Sequence, residues 1–180
     1  NMKIAFVGKG GAGKTTVSSL FCLYYSKNKS VLAIDADINM HMAELLGLNA
    51  TSPDLLLSEK YPSDKIRTWL RGDNSRIKNN AEFKKSTPPG RGSRIIDITD
   101  NNWFINNYTR PISKNLHLAT VGSYSENGLA SSCYHNNLAI LENILSHTND
   151  SGVVAVDMVA GTDAFASTLY AQFDMLVFAV

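Results

Sequence analysis

Nine residues near the start of the chain, Gly8-Lys-Gly-Gly-Ala-Gly-Lys-Thr-Thr16, limit what it can fold into more than any other stretch. They fit the pattern G-x-x-x-x-G-K-[ST] from Gly8 through Thr15. The apolar run before them, Lys3 to Val7, suits a buried strand. Thr15 to Lys27 suits a helix with Val17, Leu20, Phe21 and Tyr24 on one face. In a strand, glycine loop and helix, backbone amides turn inward around phosphate oxygens, and the helix N-terminus adds partial positive charge. Gly8, Lys9, Gly10, Gly11, Ala12, Gly13, Lys14, Thr15 and Thr16 then form a phosphate cradle. Lys14 reaches the β- and γ-phosphates of a nucleoside triphosphate, and the Thr15 hydroxyl ligates Mg²⁺.

Gly8, Gly10 and Gly13 also satisfy G-x-G-x-x-G, with Asp35 and Asp37 downstream at dinucleotide-binding spacing. Lys14-Thr15 weighs against that rival, because a dinucleotide fold places no lysine and hydroxyl pair directly after the last glycine. Lys9 is a further clue: an ordinary phosphate loop needs no lysine there, and a solvated loop lysine is the plain alternative.

The 180 residues, 44% of them hydrophobic and 18% charged, suffice for one globular domain with a substantial core. A net charge of +1 gives no global field for nucleic acid or an anionic membrane, and no apolar run has the length of a membrane span. Two cysteines without framework spacing, and no signal peptide, predict a cytoplasmic setting. The strand-like run Phe173 to Val180 closes the chain, and the expectation is truncation at the C-terminus.

Val31 to Asp35 repeats the buried-strand pattern at the spacing of a βαβ unit, which implies a parallel sheet with a right-handed crossover. Met40 to Leu48 reads as a short amphipathic helix, and Ile66, Trp69 and Leu70 suggest another. Residues 72–94, rich in Asn, Ser, Lys, Arg, Pro and Gly, read as a flexible, solvated insertion. Leu116 to Val121 is strand-like, Ser123 to Ser132 a loop, Asn137 to His147 a helix and Val153 to Asp157 a third buried strand. Ala164 to Ala171 reads as a helix and 174–180 as a final strand, in a single domain over 1–180. The predicted class is α/β, a mainly parallel sheet flanked by helices.

Two strands end in aspartate, at Asp35 and Asp157, and ligands of open parallel sheets sit at the carboxyl ends of strands. Paired acids there are costly unless a cation balances them, which makes Mg²⁺ and Lys14 natural partners. A helix N-cap at Asp37 or Asn39, and a strand-ending turn at Asp157-x-x-x-Gly161, are the plain alternatives. Cys133-Tyr-His135 carries two metal-ligand types, which point the same way in an extended segment and diverge in a helix. The position just before the predicted helix favours an extended segment. Cysteine and histidine at this spacing are often purely structural.

Gly-Lys-Gly-Gly-x-Gly-Lys-Thr-Thr with Lys9 resembles the deviant Walker A loop of the MinD/ParA/nitrogenase-iron-protein superclass of P-loop NTPases. The run Gly122 to His147, followed by Asp157-Met-Val-Ala-Gly161, is most similar to the CooC-type ATPases that mature the nickel site of carbon monoxide dehydrogenase. The resemblance covers the whole chain and is weakest over 49–115. It implies an ATP hydrolase acting as an ATP-dependent homodimer, with Lys9 reaching the partner's nucleotide. Asp37 would orient the attacking water, Asp35 would lie near the Mg²⁺ shell, Asp157 would hold Mg²⁺ and the Gly161 amide would bond the γ-phosphate. Cys133 and His135 would bind Ni²⁺ or Zn²⁺ for a client metalloenzyme. His135 replaces the family's second metal cysteine, and Val159 replaces an acid of its motif. A positioning or partitioning ATPase, and an ATP switch without metal, are the alternative readings.

Overall fold

The structure, a computed structural model, describes residues 2–122, 133–158 and 168–180, with the side chains of 133–137 outside that description. The expected loop at 123–132, Gly161 and most of the helix expected from Ala164 lie outside the described residues.

Strand β1 (Met2–Gly8) leads through the glycine loop into α1 (Lys14–Tyr25), then β2 (Val31–Ala36) and a single turn of helix, α2 (Met42–Leu45). Helix α3 (Lys60–Arg71), α4 (Trp103–Tyr108) and the strands β3 (Arg110–Ser113) and β4 (Leu116–Thr120) follow. Helix α5 (Cys133–Ser146), β5 (Val153–Met158) and β6 (Met175–Ala179) complete the order. The six-stranded sheet runs β3-β4-β2-β5-β1-β6. Every pairing is parallel except β3 with β4. The expected mainly parallel α/β sheet is therefore present, with one antiparallel strand at its edge. Pro111 sits in that edge strand, where a missing N–H costs least.

Both central strands, β2 and β5, are buried along their whole length, which explains their unbroken apolar runs. Residues alternate between two cores. Ile4, Phe6 and Ala33 pack with Cys22 of α1 and Met42 of α2, while Val7, Ile34 and Val156 pack with Ile66, Phe104 and Leu141 on the other face.

Helix α1 has its rotational phase set from its first residue. Lys14, Ser18, Ser19 and Cys22 are buried, whereas Val17 (46%), Leu20 (61%) and Tyr24 (68%) are exposed. Of the expected apolar face only Phe21 packs inward, against Phe6 at 5.3 Å. Lys14 must face the strand ends, and the positions four and eight residues on share its side of the helix.

The 72–94 stretch is mostly exposed, as a solvated insertion should be, but it is anchored. It contributes Ile77 and Phe83 to the core and buries Asn74. Buried Asn143 of α5 donates its side-chain amide to the carbonyls of Lys84 (2.8 Å) and Lys85 (3.0 Å), while its Oδ1 accepts from Arg67 Nε at 3.1 Å. Two apolar residues among many polar ones leave no periodic signal, so composition alone misreads the segment as unanchored.

His147, at the end of α5, is fully buried. Its Nδ1 lies 2.9 Å from the Asn143 carbonyl, and its Nε2 finds no partner. Burial lowers its pKa, although the Asn143 contact opposes this, and half-buried His117 shifts the same way. The unfolded chain therefore takes up protons near pH 6.5 that the folded chain refuses, so stability falls as pH drops below that value. The slope is at most about 1.4 kcal/mol per pH unit and per group. We expect His147→Leu to flatten the pH 7 to pH 5 decline in urea unfolding midpoints, and an unchanged slope would clear His147 of this role.

Candidate nucleotide-binding site

The glycine loop opens a cleft of about 830 Å³ at the carboxyl end of the sheet. Gly13 caps α1 in the left-handed conformation (φ 76°), which a side chain adopts only with strain. The first amides of α1, at Lys14, Thr15 and Thr16, precede any intrahelical partner, and these three residues line the cleft. Gly8 ends β1 beside β6, and a Cβ there would lie 2.3 Å from the Ala179 carbonyl oxygen. A turn from the Ala12 amide to the Lys9 carbonyl (3.2 Å) shapes the tip of the loop. Gly10 and Gly11 also line the cleft.

At its base, Lys14 Nζ donates to Asp157 Oδ1 at 2.8 Å and to Asp37 Oδ2 at 3.0 Å. Lys14 and Asp157 are buried and Asp37 nearly so, with 5%, 0% and 14% of their side chains exposed. Burial alone would lower the Lys14 pKa, but the bonds to Asp157 and Asp37 outweigh it and hold the ammonium above its ordinary range. Burial raises the pKa of Asp157, opposed by Lys14 and the Thr15 hydroxyl. In register beside Asp157, fully buried Asp35 is pushed by desolvation to about 7 against the pull of the Met42 amide. Its oxygens accept from the amides of Asp37 (3.1 Å) and Met42 (2.9 Å). Asp35 thus adjoins the acid cluster while its own hydrogen bonds are spent on the following loop.

Asp157 Oδ2 is buried and accepts no well-formed hydrogen bond, and the two carboxylates of Asp157 and Asp37 share one ammonium, with Asp35 in register beside Asp157. That combination fits a divalent cation, for which Asp157 and the Thr15 hydroxyl are the candidate protein oxygens. Among the described residues, no three His, Cys, Asp or Glu side chains converge to hold a metal by themselves. Mg²⁺ at phosphate sites takes one or two protein oxygens and completes its shell with phosphate and water.

Cys133 and His135 require a correction. The described helix already includes Cys133, ahead of the expected start at Asn137, so the segment is helical and not extended. Positions two apart on a helix do not share a face. Their side chains lie outside the described residues. Cys22 is buried, with its thiol pushed up to about 12 by desolvation. The cleft also contains residues that motif reasoning passed over: Asn39, His41 and Glu44. The signal for Asn39 lay in the sequence, since an aspartate two residues before an asparagine favours an Asx turn.

Residues 4–168 match the CobQ/CobB/MinD/ParA nucleotide binding domain. The chain belongs to that family. It is 29% identical over 182 residues to the carbon monoxide dehydrogenase accessory protein CooC of Rhodospirillum rubrum, covering 99% of this chain and 62% of the relative. An uncharacterised ATP-binding protein of Methanocaldococcus jannaschii is 25% identical over 183 residues, covering 98% and 65%. The chain thus spans under two thirds of the length of these relatives. A plasmid partition protein of Borrelia burgdorferi shares the fold, with a TM-score of 0.51 and 15% identity over 98% of this chain and 63% of that one. The family is one of nucleotide-binding domains, and the glycine-loop cleft is the candidate nucleotide site of this chain. Among the described residues, no helix is long and apolar enough to cross a membrane.

Lys14→Ala is expected to weaken binding of a fluorescent ATP analogue at least about tenfold, the scale of one lost charge-assisted hydrogen bond. It also strips buried Asp157 of its counter-charge, so the ligand-free melting temperature should fall. Wild-type affinity in this variant would remove Lys14 from the phosphate site.

Proposed function

We propose that the chain is a Mg²⁺-dependent ATP hydrolase that works as an ATP-driven dimeric switch and delivers a metal ion to a partner metalloenzyme. The observation that carries the hydrolase reading is the bridge from Lys14 to Asp157 and Asp37 at the mouth of the glycine loop. A triphosphate entering the cleft competes for Lys14. As the ammonium swings to phosphate oxygens, the Asp37 oxygen it held becomes available to accept a proton from, and so orient, the attacking water. Mg²⁺, when bound beside Asp157 and Thr15, supplies positive charge against the phosphate oxygens. The loop amides and the α1 N-terminus hold those oxygens in place.

Lys9 supports the dimer reading. Its side chain is exposed on the cleft rim and, among the described residues, makes no hydrogen bond or ion pair within its own subunit. An exposed, unpaired cation on the cleft rim is available to a second subunit's phosphates. Sedimentation with a non-hydrolysable ATP analogue should show dimers for the wild type and monomers for Lys9→Ala, both with nucleotide bound. A normal dimer in the variant would end the in-trans assignment.

The metal reading rests on the likeness to the carbon monoxide dehydrogenase accessory protein and on Cys133-x-His135. A two-fold dimer brings two copies of each ligand type together, a set suited to Zn²⁺ or Ni²⁺. Positions two apart on a helix do not share a face, so a partner subunit's copy would have to complete the ligand set. Cys133, the soft thiolate of the pair, is the ligand on which binding is expected to depend. Equilibrium dialysis of the ATP-bound dimer should find one Ni²⁺ or Zn²⁺ per dimer, lost in Cys133→Ser and kept in Cys22→Ser. Binding should also weaken as pH falls, because thiolate and imidazole must both be deprotonated. Metal retained by Cys133→Ser would leave an ATP switch without metal as the reading.

A further inference from the structure

Asp37 is held from two directions that the nucleotide does not supply. Its Oδ1 accepts from the backbone amide of Asn39 at 3.0 Å and from the Asn39 side-chain amide at 3.1 Å. Only Oδ2 turns to Lys14. Its own backbone N–H donates to Asp35 Oδ1 at 3.1 Å. The second Asp35 oxygen accepts from the Met42 amide at 2.9 Å, at the first residue of α2. One fully buried carboxylate thus ties both ends of the turn 37–42.

The turn needs tying. Met40 within it has φ 51°, the only left-handed residue other than glycine among those described. Such a conformation costs on the order of 1 kcal/mol and persists only where surrounding contacts enforce it. Asp35 is set rigidly: it pairs with Asp157 on one side and Thr120 on the other, in the middle of the sheet. The sheet fixes Asp35, Asp35 fixes the turn, and Asn39 fixes the carboxylate that the turn carries.

We propose that Asp35 and Asn39 are positioning residues for hydrolysis, a clamp that commits one oxygen of Asp37 to the protein and presents the other to the cleft. The proposal rests on the hydrolase reading above, in which Asp37 orients water. It assigns to Asp35 a mechanical task through backbone amides, and to Asn39, an exposed side chain, a task for which it has no packing reason to exist. A misplacement of about 1 Å at such a group can cost about 100-fold in rate while leaving binding intact.

The test is a kinetic cycle on the full chain: ATP turnover, and affinity for a fluorescent ATP analogue, in wild type, Asn39→Ala, Asp35→Asn and Asp37→Ala, and in each of the first two combined with Asp37→Ala. Asn39→Ala and Asp35→Asn should each lower kcat about tenfold or more, with analogue affinity within about threefold of wild type. Neither should slow the Asp37→Ala variant further, since both act through that carboxylate. Wild-type kcat in Asn39→Ala, or losses that add on the Asp37→Ala background, overturns the proposal. So does a fall in affinity that matches the fall in kcat. If Asp35→Asn shows no cooperative melt, Asn39→Ala decides alone, because its side chain is on the surface. An inactive wild type, or an Asp37→Ala variant at full rate, defeats the hydrolase reading itself and takes the clamp with it. An inactive Asp37→Ala beside a fully active Asn39→Ala defeats only the clamp.

Discussion

The bond from Lys14 to Asp157 organises this molecule. Lys14 Nζ and Asp157 Oδ1 meet at 2.8 Å with 5% and 0% of their side chains exposed. A buried ion pair adds little net stability, but removing one partner leaves an uncompensated charge and costs several kcal/mol, roughly 3–5. Its value is therefore in specification. It demands that the start of α1 and the end of β5 face each other. That fixes where the glycine loop lies and on which side of the sheet α1 packs.

The phase of α1 follows from the same demand. A helix that kept Val17, Leu20 and Tyr24 inside would turn Lys14 away from the strand ends. The fold resolves the conflict in favour of the lysine, burying Ser18, Ser19 and Cys22 behind it and leaving an apolar stripe outside. Here charge placement overrides the hydrophobic pattern, the reverse of the usual order. The physical reason is magnitude: leaving a few apolar side chains half exposed costs about 1 kcal/mol each, less than burying Asp157 alone.

This contest also explains what could be read from the sequence. The central strands were legible because burial on both faces writes an unbroken apolar run, as in Val31 to Asp35 and Val153 to Asp157. The acid at each strand end was legible because topology places strand ends beside the loop. The facing of α1 was not, since periodicity counts apolar residues and gives no weight to a charge that must point inward. Nor was the 72–94 stretch, whose anchors are side-chain bonds from Asn143 and Arg67 on distant helices. Strand β3 and α4 are too short to carry a period. The helical state of 133–136 was missed for a like reason: Cys-Tyr-His-Asn has no strong helix former, and the four residues join the helix by continuity with the leucine-rich turns after them.

The charge balance of the cleft also bears on how the proposed nucleotide switch would work. Lys14 is already neutralised, so a triphosphate gains only the difference between phosphate and carboxylate as its partner. Part of its intrinsic affinity is spent on breaking the bonds to Asp157 and Asp37. That exchange also couples the site to its surroundings. Asp37 is tied through Asn39 and Asp35 to a strained turn, so releasing its Oδ2 changes the forces on the residues from Met40 to α2, on the cleft wall that includes His41 and Glu44. A ligand shifts a conformational equilibrium only by its differential interaction with the two states. In the proposed switch that difference would come from Lys14, because the ammonium expected to meet the phosphate is the one bonded to Asp37.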